Sequence, residues 1–563
     1  MEKRALLAFA LSLLVLIVYQ AFFTPSRPPK EPAGGPEGQK GPAGPATPPP
    51  PGSVVAPPPG GPPAPPKTGV SPGRPPSPVG SIPEGPAAEA VVTGDLYTAR
   101  ITSLGGRLKS FRLHRYLSPG NQATPLDMVA PGAQGLIPLE IQLLPLAGDL
   151  GAAGFSLSAP RVQLQEGRPG RLALSWAGRD LRVVKELTFR PENYLVELTV
   201  EVQNRGSAPV TYQMALAWVG STHPLSPDEA DRFAGPVALT DGTLERLEVK
   251  DLKAPKTLTG NIRWAGSENK YFIAAIAPRT PKAAQVQVEP LSPDQARTWV
   301  IAAPATLSPG AQGRYQYALY IGPKEYDRLR ALNLGLEAAI DYSIWGVDIW
   351  WMAMPLVAVL NFFHRFAGNY GLAIILLTVL IKILFWPLTH KSFTSMKEMQ
   401  RLQPQMQMLR ERYKNDRTRL NQEMMELYRA HKVNPLGGCL PLALQIPVFF
   451  ALYQVLLVSI ELRRAPFICW EKELFWIGHG ICDLSAKDPS YVTPILMGGT
   501  MFVQQWMTPT PGDPTQAKIM LVMPLIFTVM FLNFPSGLVL YWLVQNLLSI
   551  AQQSYINRKL KPA

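Results

Sequence analysis

The sequence predicts a polytopic α-helical membrane protein of six transmembrane helices with a large antiparallel β-sandwich domain on the outer side. Three observations carry this expectation. Apolar residues crowd into the first 23 positions and the stretch after about 349, although the overall apolar fraction is an ordinary 47%. The region between them reads in period two. The 59 prolines among 563 residues, about twice the usual share of roughly 5%, gather largely between the first apolar run and the β region.

Residues 1–23 open MEKR and run apolar from Ala5 to Phe23. A bilayer core takes about 20 residues of helix. A cleavable signal would have a shorter apolar region ending in an A-x-A-like site, which QAFFTPSRPP lacks. The run reads as an uncleaved signal anchor, with Lys3 and Arg4 holding the N-terminus in the cytoplasm. Residues 24–87 (PPKEPAGGPEGQKGPAGPATPPPP) cannot bury a core and favour extended, jointed chain, so they read as a disordered tether.

From 88 to 323, Tyr194, Val196, Leu198, Val200 and Val202 alternate with Leu195, Glu197, Thr199, Glu201 and Gln203, the mark of a strand with one buried face. Tyr212, Met214, Leu216 and Trp218 repeat the pattern, as do Tyr315, Tyr317 and Leu319. Turn signals stand at Asn204-Arg205-Gly206 and Ser308-Pro309-Gly310. Many short strands without helical patterns between them predict the sandwich. Residues 324–366 then supply a helical connector and an aromatic stretch, IWGVDIWWMAMPLVAVLNFFHRF. Its Trp345, Trp350 and Trp351 suit the membrane–water boundary. Asp348 and Pro355 interrupt it, so it reads as a helix lying on the outer surface.

The core, 367–558, offers spans at 370–388, 436–460, 491–507, 519–534 and 537–556. The loop 391–434 carries ten basic and five acidic residues, net +5, which places it in the cytoplasm. Counting spans from a cytoplasmic N-terminus agrees, puts the basic tail 559–563 inside, and leaves the β domain outside. Within 390–434 two helices are expected, about 390–413 and 418–431, turning at Lys414-Asn415-Asp416, with Met396, Met399, Met406 and Leu409 as the apolar seam.

The formal charge of +13 suits anionic lipid or acidic polypeptide; no zinc-finger, recognition-helix or RNA-binding signature accompanies it. There is no G-x-S-x-G, H-E-x-x-H, phosphate-binding loop or paired-cysteine metal spacing, so neither an enzyme nor a cofactor or metal is expected. The informative residue is Lys382, inside LAIILLTVLIKILFWPL. A lysine at the centre of a span costs about 2.5–3.5 kcal/mol on insertion scales. Two readings stand: its stem snorkels to the headgroups, or it lines a polar cavity. Thr378, one turn away on the same face, leans toward the cavity, and Gln445 and Gln545 add further polar groups inside spans.

The segments NPLGGCLPLALQIPVFFALYQVL, FPSGLVLYW and FWPLTHKSFTSMKEMQRLQPQMQ resemble the YidC/Oxa/Alb family of membrane-protein insertases, and the resemblance covers about 340–558. It implies a five-span core with a cytoplasmic helical hairpin, an anchor and periplasmic sandwich before it, and residence in a bacterial inner membrane. It implies insertion and chaperoning of nascent membrane proteins, alone or beside the Sec translocon. The hairpin would meet clients, and also the ribosome or signal-recognition machinery. It further implies a water-filled groove holding a basic residue, here Lys382, with Thr378, Gln445, Tyr541, Trp542 and Gln545 as groove residues. Many members have arginine at that position; lysine keeps the charge without the bidentate fork. A secondary transporter would show an internal repeat with paired broken helices, and a membrane-anchored periplasmic carbohydrate-active protein would show converging acid and base residues in 88–323. Neither is visible.

Topology puts Cys469 and Cys482 in an outer loop, where disulfides persist, and Cys439 at the cytoplasmic mouth of a span. A Cys469–Cys482 bond is expected, closing about 14 residues and contributing on the order of 3 kcal/mol. The alternative is two free buried thiols.

Overall fold

The computed structural model describes residues 87–118, 124–129, 135–146, 149–226, 229, 232–344, 347–431, 440–474, 478–507 and 514–559. The expected anchor and nearly all of the tether, together with Trp345, Cys439 and four residues of the tail, lie outside the described residues.

Residues 89–323 form three sheets of nine, six and five strands. The nine-stranded sheet is centred on Phe272–Thr280, Gln312–Pro323 and Leu195–Asn204, paired antiparallel. In Leu195–Asn204 the even positions are buried and the odd ones from Glu197 onward half-buried, because one face meets the core. In Val210–Ser221 the alternation stops after Met214 and both faces are buried. Its small residues Ala215 and Ala217 turn to a second cluster with Trp299 and Ile301. The sheets meet through aromatic rings: Tyr97 stacks on Phe111 at 4.6 Å and reaches Tyr194 at 6.3 Å. One pairing departs from the antiparallel expectation. Strand Glu89–Thr93 pairs parallel with Arg161–Gln163, which the long excursion between them permits.

The connector begins with helix α1, Tyr326–Ala331, and breaks at Gly335, whose φ of 75° suits glycine. A buried ionic network pins it to the sheets. Glu268 accepts from Lys324 Nζ and Arg246 Nε, each at 2.6 Å, and Arg246 also reaches Asp341 at 3.3 Å. Burial pushes the Asp341 carboxyl up, but the Ser343 hydroxyl and Arg246 outweigh it and hold it below the usual range.

Helix α2, Trp350–Ala367, follows. Pro355 does not interrupt it but lies inside it, near enough to the N-terminus that only one early backbone bond is lost. Asp348 stands before it and accepts from the Trp350 amide at 2.8 Å. Trp351 and Phe366 are exposed, while Ala353, Val357 and Leu360 are buried.

The remaining helices are α3 (Tyr370–Arg401), α4 (Gln403–Arg412), α5 (Arg417–Ala430), α6 (Leu440–Val458), α7 (Val492–Met507), α8 (Pro514–Phe531) and α9 (Ser536–Lys559). Each of the five expected spans of the core thus carries a helix. Among the described residues one, α3, is long and apolar enough to cross a bilayer by length and composition, with shorter apolar helical stretches at Gln445–Val458 and Leu521–Phe531. The first hairpin helix does not begin at residue 390: α3 runs unbroken to Arg401, through Pro387. Asp416 caps α5 by accepting from the Arg419 amide at 2.9 Å. The hairpin seam is Met399, Leu402 and Met406 against Met424; Met396 and Leu409 are only half-buried.

The β domain and the helices are in direct contact. Arg463 Nη2 donates to Leu117 O at 3.2 Å and Arg464 Nη2 to Ser118 O at 2.7 Å. The Arg463 guanidinium also lies over the rings of Tyr271 and Phe272. Arg232 donates to Gln454 of α6 at 3.0 Å, and Gln454 donates to Ser343 O of the connector. Cys469 and Cys482 are joined by a disulfide, their Cα atoms 4.8 Å apart.

Candidate functional site

Helices α3 and α9 lie side by side, and α9 also packs on α7. The residues of α3 around Lys382 are apolar, and Ile383 and Leu384 are exposed. Lys382 itself is only 6% exposed. Its ammonium donates to Ser549 Oγ at 2.7 Å, and the Ser549 hydroxyl in turn donates to Gln545 O at 2.8 Å. Among the described residues no carboxylate pairs with it. About two turns further along α3, Gln552 Nε2 donates to Thr389 Oγ1 at 2.8 Å, and beyond it Lys397 Nζ donates to Asn557 O at 3.3 Å. The α3–α9 contact is therefore a polar seam set in apolar helices.

Beside the seam lies a cleft of about 270 Å³. Val379, Ile383, Trp386, Leu548, Ala551 and Tyr555 line it together with Lys382 and Gln552. Trp386 and Tyr555, at 6.4 Å between ring centroids, rim it. The arrangement sets a cation and an amide behind the wall of a trough whose exposed lining is almost wholly apolar. It has no nucleophile–base pair, and among the described residues no group of His, Cys, Asp or Glu side chains is placed to hold a metal.

Of the residues singled out from the sequence, Lys382 lines the cleft and Gln545 touches its network through a backbone carbonyl. Thr378 does not join them: fully buried, its hydroxyl donates to Ile374 O of its own helix at 2.6 Å. Tyr541 is buried beside Gln445. Trp542 belongs to an aromatic cluster, 4.8 Å from Phe449 and 5.0 Å from Phe531. Neither Gln445 nor these two rings line the cleft. Sequence reading passed over Ser549, Thr389 and Gln552, and also Asn546 and Gln553, which donate to Met497 O and Met507 O of α7. The run QNLLSIAQQS held the signal: polar residues recur there at three- and four-residue steps on two faces of α9.

Two family models match the chain end to end of the described region: "YidC periplasmic domain" over residues 89–359 and "60Kd inner membrane protein" over 362–563. The membrane protein insertase YidC of Syntrophus aciditrophicus (strain SB) is 43% identical over 566 residues, covering 99% of this chain and all of that one. The chain belongs to the YidC family. YidC of Geobacter metallireducens is 40% identical over 100% of this chain and 99% of its own. A solved YidC structure from Thermotoga maritima is 15% identical over 84% of this chain and 99% of its own, with a TM-score of 0.29. As a YidC-family chain it is an inner-membrane protein, with a periplasmic β-rich domain and a helical membrane region.

Proposed function

We propose that this chain inserts other proteins into the inner membrane and chaperones their assembly, alone or beside the Sec translocon, with no chemical step. The carrying observation is Lys382: a cation buried between two apolar helices, bonded to a neutral hydroxyl, with its side chain in the wall of a cleft. An incoming polar tail must lose water to cross the bilayer, and a charged residue at mid-membrane costs about 2.5–3.5 kcal/mol on insertion scales. A fixed cation and amide inside the apolar region offset part of that loss for acidic and amide-bearing tails. The client's own apolar segment then moves into lipid along the exposed apolar flank of α3.

In this reading six spans, the anchor in 1–23 and helices α3, α6, α7, α8 and α9, cross the bilayer with both termini in the cytoplasm. The β sheets form a periplasmic sandwich, and α2 lies at the outer surface, supported by its exposed Trp350, Trp351 and Phe366. Nascent membrane proteins are the clients, and Lys382, Ser549 and Gln552 contact them; Thr378, Tyr541, Trp542, Gln445 and Gln545 support the helices around the groove. The basic hairpin α4–α5 receives clients and docks ribosome or signal-recognition machinery.

The test is complementation of a strain depleted of the protein, scoring integration of single-spanning clients. Wild type and Lys382→Arg restore acidic-tailed and neutral-tailed clients, while Lys382→Ala restores the neutral-tailed ones preferentially. Equal integration of acidic-tailed clients by the alanine variant overturns the electrostatic role, and normal integration without the protein overturns the function.

A further inference from the structure

The loop between α6 and α7 has two limbs, and each holds the start of a different cleft helix. The first limb, residues 465–467, holds α3. Asn369, just before α3, donates its side-chain amide to Phe467 O at 3.0 Å. The Phe467 ring lies so close on Gly371 that a Cβ there would stand 2.1 Å from it. The second limb, residues 481–486, holds α9. Ser536 N donates to Ala486 O at 2.7 Å, Gly537 N to Leu484 O at 2.9 Å, and Ser536 Oγ to Asp483 O at 2.8 Å.

The limbs are fastened to each other by Phe467 N to Ile481 O and Leu484 N to Ala465 O, both at 3.0 Å, and covalently by Cys469–Cys482. A closed circuit therefore runs from the first turn of α3, through the disulfide-linked limbs, to the first turn of α9. Lys382 and Ser549 stand 12 and 13 residues along these two helices, about 18–20 Å from the loop. Backbone hydrogen bonds open and close locally; a covalent link does not.

We propose that the Cys469–Cys482 disulfide is a positioning pair: by fixing the two limbs it fixes the separation of α3 and α9, and with it the width of the cleft and the Lys382–Ser549 contact. This rests on the cleft as the working site but not on what enters it.

Pulsed electron–electron distance measurement on the full chain in lipid nanodiscs tests it. Ketone-bearing residues at Leu384 and Leu547, both exposed on the outer flanks of their helices, carry spin labels without using cysteine. A dithiol reductant donates two electrons and two protons to the S–S bond, giving two thiols and its own disulfide. Alkylation and mass measurement verify the change. The oxidised chain is expected to give one narrow distance. Reduction is expected to lengthen it by about 1 Å or more, the looseness at which a preorganised site fails, and to broaden it. Cys469→Ser with Cys482→Ser is expected to reproduce the reduced distribution and ignore the reductant. Superposable distributions before and after reduction overturn the proposal, as does alkylation of both cysteines in the unreduced, denatured chain. No client takes part, so failure here leaves the insertase reading standing, and failure of the depletion assay leaves this geometry standing.

Discussion

Two buried lysines show how the same side chain serves different ends. Lys185 lies wholly inside the β domain and donates to Gly106 O at 2.5 Å and Leu139 O at 2.7 Å. Burial first, and Arg107 second, push its pKa down to about 7, against the pull of Glu140. Between pH 7 and the ordinary lysine range the unfolded chain holds a proton that the folded chain has released, so stability rises with pH across that window. The melting temperature is expected to climb from pH 7 to 9 in the wild type. Lys185→Met should flatten that climb; an unchanged slope refutes the assignment. Lys382 is placed differently, between two helices in the wall of a cleft. Ser549→Ala removes its hydrogen-bond acceptor without touching its charge, and is expected to impair integration of acidic-tailed clients less than Lys382→Ala. Equal losses in the two variants would show that orientation matters as much as charge. Lys382 was legible because a charge in an apolar run stands out. Its partners were not, because serine, threonine and glutamine in a span look like tolerated polarity until a second helix shows which face they share.

At the scale of elements, the hairpin separates helicity from charge. Its seam joins Met399, Leu402 and Met406 to Met424 of α5. A proline at Met424 would remove a buried contact and a helical bond together, so the exposed Gln422 in the same helix is the better probe. Gln422→Pro costs roughly 3 kcal/mol of helix, whereas exposed ion pairs contribute under about 1 kcal/mol. Integration should therefore fall more with Gln422→Pro than with Arg417→Ala plus Arg419→Ala at equal protein levels. The reverse order would point to a specific charged docking site. Both hairpin helices could be read from the sequence, but not the unity of the span with the first of them. Polarity begins near residue 390, yet polarity does not stop a helix, and no glycine or asparagine follows there to end one.

For the whole molecule, the sheets are tied to the helices and to the loop that follows α6. Arg463, Arg464 and Gln454 engage residues from three parts of the β domain and connector. Deleting 90–310 is expected to leave insertion in place, since no cleft residue comes from the sheets, but to lower the melting temperature by stripping both arginines of their acceptors. Arg463→Ala with Arg464→Ala should reproduce part of that drop, and an unaltered melting curve would contradict it. Complete loss of integration by the deletion at normal protein levels would mean that the sheets take a direct part. The strand alternation made the sheets legible. The contacts were not, because Arg463 and Arg464 read from sequence as ordinary loop charges, and only the fold brings rings and free carbonyls to them.

The unbroken course of α3 has a mechanical consequence. Its 32 residues span about 48 Å, longer than a hydrocarbon core of about 30 Å, so a single rod carries both Lys382 and Met399 of the hairpin seam. Load applied to the hairpin acts on this rod as torque on a lever. Its first turn is held by Phe467 on Gly371, and its one interior proline, Pro387, lies between the load and the cation. A push at the hairpin is thus divided between bending at Pro387 and turning Lys382 against Ser549, and the stiffness of that one joint sets the gearing.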